Sequence, residues 1–598
     1  MRFIWGLVGL TIAAGAFQAP PTERVLSHVS QVMGGTRTYR VFFPSSYAGS
    51  QKRYPVLYWF HGYERSAEMD AYSREIAAYV AGHDLLVVDS GPAETTGEFP
   101  LYFPELADQI DRSLRTIADR EHRGVSGFSA GGFMAFYVAG KYPDLLSSAS
   151  SFMGPTEYSV GPKGFDVEYC ADDFYANLEG VRTRLVTGTR DFVQFYHRRL
   201  NAAWLHTKGD HETEEFDSDH GTPGIAKTLD FHMRAFAKPL PKPAVFTHAD
   251  AYPNFSVWGW EVASDRRQPG YTWLENVSAS GFRSSVREWI PGGATIPGVK
   301  LSVASPHLYA PGSPHIAVII RLRDGKLERR SLKADAKGRL NFDLDGDAYE
   351  VGISAEGLLA ASGYDQTDAA WVTAGQAAHV RVKFWNKGAG RSATSAIRWE
   401  SSDPGVQFQT PTSRLFGLGP GEPAFLPVTF TVKDATRPVV RIFAVTGGPG
   451  MGASRLPLDV PVFPAAEATK DYRIADGRTV TVWRHGVERA EVSLGEGNSD
   501  GHAAPGESFS VLLPDGDGLR AAELFSSDAC LDLTVRASDS WVDYDHTGAS
   551  AKYTLATIPN SCEPGRTVRM LARIVSPHAP DHTVRCVAIE FPIWYRRQ

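Results

Sequence analysis

At Lys238-Pro-Leu-Pro-Lys-Pro243 the hydrophobic period of this 598-residue chain changes. Before it, apolar runs alternate with helical spacings. Tyr54–Phe60 and Leu85–Val88 are nearly continuous apolar runs, as in parallel strands covered on both faces. Leu106, Ile110, Leu114 and Ile117 follow one helical face, and Ile225, Leu229, Met233 and Phe236 another. Alternating β and α predicts a mostly parallel sheet sandwiched by helices. Beyond the proline-rich segment the helical spacing vanishes and short strand-like runs recur between Gly, Pro, Asn and Asp. Prolines make that segment a stiff spacer. Hydrophobic residues are 43% and charged residues 22%, which excludes a disordered or fibrous chain. A net charge of -7 offers no basic footprint for nucleic acid.

Within the alternating half stands Gly127-Phe128-Ser129-Ala130-Gly131. GxSxG sets a serine on a crowded strand-to-helix turn, with glycines where the backbone is tight. Alone the pattern is weak, and Gly497-Asn498-Ser499-Asp500-Gly501 also fits it. That second match lies in a polar run and is expected to be a loop. The first has a short strand before it, Arg123–Ser126, and a helix after it, Gly132–Tyr142, stopped by Pro143. Ser129 is therefore the expected nucleophile, with a helix N-terminus to favour an oxyanion.

A nucleophilic serine needs a base, and the base an orienting acid, in the chain order serine, acid, histidine for this kind of turn. Arg184–Gly188 reads as a strand leading to Asp191, the expected acid. Asp172, Asp173 and Asp210 lack a clear strand before them. His220, after Thr213–Asp219 and before the last helical run, is the expected base. His211 is the rival, placed before the strand. Of the two oxyanion N–H donors, one is expected at Ala130 and the other at Tyr63, in the turn Phe60-His61-Gly62-Tyr63.

Residues ~35–237 resemble the esterase D / feruloyl-esterase branch of the α/β-hydrolases, which includes enterochelin esterases, S-formylglutathione hydrolases and mycolyltransferase-like acyltransferases. The matching pieces are Tyr39–Pro44, Pro55–Gly62, Glu105 ahead of Arg115-Thr116, Gly127–Phe133, Asp191 and Asp219-His220-Gly221. The resemblance implies a Ser129–Asp191–His220 triad with Tyr63 and Ala130 as oxyanion donors. Ala130 replaces the family's usual bulky residue, and Thr222-Pro223 stands where a Trp often follows His-Gly. Both departures alter the acyl pocket. Gly154–Arg182, rich in Tyr, Phe and Asp, occupies the position of a cap and is expected to wall the substrate cleft.

The expected division is an export signal at 1–19, an α/β-hydrolase unit at 20–238, the linker at 239–243, and β units at 244–363, 364–463 and 464–598. The three β units read as β-sandwiches, and 364–463 resembles an immunoglobulin-like module. Expected strands include Phe255–Val262, Ile316–Leu322, His379–Trp385 and Leu426–Val432. Trp258, Trp260, Trp273 and Trp385 are weighed as a sugar-stacking platform, with burial in a core the favoured reading. Asp500 and Glu507 lack calcium-loop spacing, and a plain turn is expected there. Four Cys without a CxxC pair argue against a zinc site, and Cys530–Cys562 is the bond that sequence proximity suggests.

Met1-Arg2, the apolar Phe3–Ala16 and the small residues Ala14-Gly15-Ala16 read as a secretory signal cut after Ala16 or Ala19. No segment of the mature chain is apolar enough to span a bilayer. The expectation is a secreted or periplasmic serine carboxylesterase with no cofactor and no metal. Its substrate is expected to be an ester linked to polysaccharide, acetyl or feruloyl. The alternatives are an acyltransferase with the same acyl-enzyme, or an inactive extracellular binding or scaffold protein.

Overall fold

The computed structural model describes residues 23–595 except 63–66, 93, 195, 198–199, 202–203, 205–209, 289, 291–292, 367–371, 402, 434–438, 448–453, 464–468, 478, 485–487, 516–517, 527, 542–549 and 576–583. The expected export signal and Tyr63 lie outside the described residues.

The first half is built from β1 (Glu23–Ser30), β2 (Gly35–Phe42), β3 (Val56–His61), α1 (Ala67–Gly82), β4 (Leu86–Pro92), α2 (Phe99–Ser113), β5 (Arg123–Phe128) and α3 (Ala130–Lys141). There follow β6 (Ser148–Phe152), the hairpin β7 (Glu157–Val160) and β8 (Val167–Cys170), β9 (Arg182–Gly188), β10 (His211–Phe216) and α4 (Ile225–Ala237). Eight strands form one sheet in the order β1-β2-β4-β3-β5-β6-β9-β10. From β4 to β10 every pairing is parallel, and β1 and β2 are antiparallel. This is an α/β-hydrolase sheet.

Period-two alternation explains how one strand serves two cores. On β3, Tyr58 and Phe60 enter the core formed with α2 and α3, whereas Leu57 and Trp59 enter the one formed with α1 and α4. Burying each such side chain contributes roughly 1.5–3 kcal/mol. In α4 the expected face holds: Ile225, Leu229 and Phe236 are buried. In α2 it holds only for Leu106 and Ile110. The helix ends at Ser113, and Leu114 is extended at φ -125. Thr116 bridges to Tyr54, and the Ile117 N–H donates to the Tyr54 carbonyl at 2.9 Å. Backbone partners beside β3 thus take the residues that the spacing assigned to the helix.

The second half is β throughout its described residues. Strands within Phe246–Ile353 form sheets of six and four, those within Leu359–Phe463 sheets of four and five, and those within Arg473–Pro592 sheets of seven and three. Each unit's core takes residues from both of its sheets, for example Val257 and Trp260 with Leu274 and Phe282. The expected strand Phe255–Val262 is a tight hairpin. Trp258 (φ 51) and Gly259 (φ 83) make its two-residue turn, and Val257 pairs with Trp260. Trp258, Trp260 and Trp385 are buried, and Trp273 is half-buried beneath Arg287, so these residues form no exposed platform. Cys530 and Cys562 are disulfide-bonded.

The first β unit shares the core of the α/β unit. Ala249, Ala251, Tyr252 and Tyr271 pack in one cluster with residues of α2 and α3. Lys141, the last residue of α3, is buried and pairs with buried Asp250 at 2.6 Å. Burial pulls the Lys141 ammonium down. It would likewise push the Asp250 carboxyl up, but Lys141 and His248 together outweigh it and hold that carboxyl below its usual range. Asn177 exchanges two hydrogen bonds with the backbone of Ala249, and Asp144 accepts from the Trp258 N–H. The proline-rich segment is pinned as well: Arg120 donates to the Leu240 carbonyl, and Lys242 lies over the Trp258 ring. No helix among the described residues is long and apolar enough to cross a membrane.

Candidate active site

Ser129 sits between β5 and α3 at φ 54, ψ -125, a conformation that side chains other than glycine avoid. The surrounding glycines are obligatory. A Cβ on Gly127 would overlap the Gly131 carbonyl, and one on Gly131 would overlap the Phe60 carbonyl. The Ser129 N–H donates to the Phe152 carbonyl at 2.9 Å, and its own carbonyl accepts from Gly132 and Phe133. These bonds hold the strained turn. Ala130 opens the helix, so its N–H has no intrahelical acceptor. Across the cleft, Gly62 comes so close that a Cβ there would lie 3.4 Å from the Ser129 Cβ. The His61 Nδ1–H donates to the Gly62 carbonyl at 2.8 Å.

Asp191 follows β9 and is fully buried. Its Oδ1 accepts the His220 Nδ1–H at 2.9 Å and the Val193 N–H at 3.1 Å. His220 follows β10, about one-fifth exposed. Its ring lies 4.8 Å from the ring of Phe128, the residue before Ser129. The structure therefore brings Asp191 and His220 into direct contact and sets His220 beside the serine turn. The two loops are also tied from outside. Arg190 pairs with Asp217 and with Asp219, and the Arg190 N–H donates to the Ser218 carbonyl. Met153, after β6, accepts the Gly221 N–H on its sulfur at 3.0 Å.

The remaining sequence candidates lie elsewhere. His211 bonds Thr183 and Asn201, and with Asp210 it lines a surface depression beside Arg182 and Arg234. Asp172 and Asp173 sit in a short 3-10 turn of the insertion between β8 and β9. Ser499 also has positive φ (62), but it lies in a loop of the last unit. The insertion's aromatics pack partly on α3 and partly on the β units. Tyr158 and Tyr169 pack on Phe133, Phe174 on Tyr271, and Arg441 covers Tyr175.

Sequence reasoning missed His197. It is fully buried, donates through Nε2 to the Gly154 carbonyl at 3.0 Å, and sets Nδ1 3.9 Å from Asp191 Oδ2. Burial pulls it down to about 4, so the ring is neutral at ordinary pH. No motif marks this position.

Residues 103–232 match the family model described as "Putative esterase". Two proteins of Mycobacterium tuberculosis, "Esterase MT1326" and "Esterase Rv1288", are each 31% identical over 140 residues, covering 21% of this chain. The chain spans 31% of the length of these relatives. Among solved structures, an S-formylglutathione hydrolase from Staphylococcus aureus is 16% identical with a TM-score of 0.30, covering 36% of this chain and 98% of its own. A ferulic acid esterase from Anaeromyces mucronatus is 17% identical with a TM-score of 0.27, covering 37% of this chain and 93% of its own.

Proposed function

We propose, from an N-terminal unit that is an esterase-like α/β-hydrolase, that this protein is a serine carboxylesterase acting through an acyl-serine. The observation that carries the reading is the buried Asp191 bonded to His220, whose ring lies beside the strained serine turn. His220 takes the Ser129 proton, and the alkoxide attacks the ester carbonyl. The Ala130 N–H, with a second donor at Tyr63, receives the oxyanion. The tetrahedral intermediate collapses with loss of the alcohol, to which His220 returns the proton. Water activated by the same histidine then releases the acid. Asp191 keeps the His220 Nδ1 protonated and its Nε2 free to act as the base.

The enzyme is read as exported, supported by the Met1–Ala16 pattern and by a disulfide at Cys530–Cys562, a bond favoured in oxidising compartments. Export and three β-sandwich units, the middle one immunoglobulin-like, favour an ester carried on an extracellular polymer, acetyl or feruloyl groups on polysaccharide among them. Fluorophosphonate labelling of the full chain tests the chemistry. The wild type should label and Ser129→Ala should not. A folded wild type that stays unlabelled defeats the reading.

A further inference from the structure

His220 meets two phenyl rings. Phe128 lies 4.8 Å from it, centroid to centroid and tilted 43°, and Phe192 lies 4.6 Å away at 45°. The rings come from the two other arms of the site: Phe128 directly precedes Ser129, and Phe192 directly follows Asp191. Phe128 is buried, whereas Phe192 is 69% exposed beside the base.

We propose that Phe128 and Phe192 are positioning residues that fix the plane of the His220 ring and stabilise its protonated form as it takes the Ser129 proton. The proposal rests on the acyl-serine reading above. Asp191 holds the ring at Nδ1 only, which leaves its plane to be set by what packs on its faces. An aromatic face attracts a cation within about 6 Å of its centroid, and both distances fall inside that reach. Neutral imidazole gains little from this attraction and imidazolium gains more, so the pair favours the protonated ring in the free enzyme and in the transition state alike. The charged groups around the ring do not duplicate the role. Asp191 is on its Nδ1, and neutral His197 stands behind Asp191. Asp217 and Asp219 on the base's own loop are engaged by Arg190. The serine turn, Gly127–Gly132, carries no charged residue.

The test uses Phe192→Leu, Phe192→Trp and Phe192→Ala in the full chain, because exposed Phe192 can be changed without opening the core. Rates on a soluble ester are measured against pH, with kcat and KM separated, alongside fluorophosphonate labelling. In Phe192→Leu the acid limb of kcat/KM should move down by about half a pH unit, with plateau kcat about threefold lower and KM unchanged. Phe192→Trp should restore both, and Phe192→Ala should behave like Leu or worse. A Leu variant with the wild-type limb and kcat overturns the proposal. So does a change confined to KM, which would make Phe192 a substrate contact. If the wild type itself does not label, the acyl-serine reading fails and the proposal with it. Normal labelling with an unmoved limb removes the proposal alone.

Discussion

On the acyl-serine reading, catalysis and stability oppose each other at Ser129. A residue other than glycine held at φ 54, ψ -125 costs on the order of 1–3 kcal/mol. Ser129→Gly should therefore unfold at a higher temperature than Ser129→Ala, by about 1 kcal/mol in stability after the added unfolded-state entropy of glycine is subtracted. Both variants should be inert to fluorophosphonate, and parallel thermal melts with labelling check this. The sequence marked the positions of Ser129, Asp191 and His220 for a local reason: each follows within four residues of a strand end, and the structure joins Asp191 to His220 there. His197 was not so marked. Its value lies in where a helical turn after Asp191 carries it, against Asp191 on one side and the Gly154 carbonyl on the other. That meeting is tertiary and leaves no local pattern.

Among the elements, α4 carries a second buried histidine with a measurable signature. His232 bonds Ser148 Oγ and Ser150 Oγ of β6, both at 2.8 Å, and burial lowers it to about 3. With His197 at about 4, two histidines stay neutral in the fold that would protonate near 6.5 once unfolded. The unfolded chain thus binds more protons between those values, so stability falls as pH drops through about 6.5 toward 4 and is unaffected above it. The loss should amount to a few kcal/mol, on the order of one pKa unit per 1.4 kcal/mol. His232→Asn should flatten the decline in melting temperature between pH 7.5 and 5, and an unchanged slope would contradict the assignment. The regular spacing of α4 made it readable in advance. The hairpin at Trp258-Gly259 was not, because β-forming residues fill both of its strands and only the positive φ values reveal the turn. Gly259 was the available signal.

On the scale of the whole molecule, the junction between the α/β unit and the first β unit is a core rather than a hinge. Removing one partner of a buried ion pair typically costs about 3–5 kcal/mol. Lys141→Ala should therefore destabilise the full chain by about that much, whereas Lys52→Ala, an exposed partner of Asp84, should change little. Equal melting temperatures for the two variants would contradict this. A chain cut after residue 238 should expose Leu178, Tyr137 and Tyr142 where Tyr252 and Tyr271 now pack, and should be insoluble or partly unfolded by circular dichroism. The sequence marked this junction by its prolines and suggested a spacer. The partners across it, Lys141 with Asp250 and Asn177 with Ala249, are about 70 to 110 positions apart in the chain and have no local signature.

That junction also ties the first β unit to the helix that carries the serine turn. α3 is a rod about 18 Å long, with Ser129 at one end and Lys141, gripped by Asp250, at the other. The serine turn and the first β unit are thus fastened to the two ends of one continuous helix.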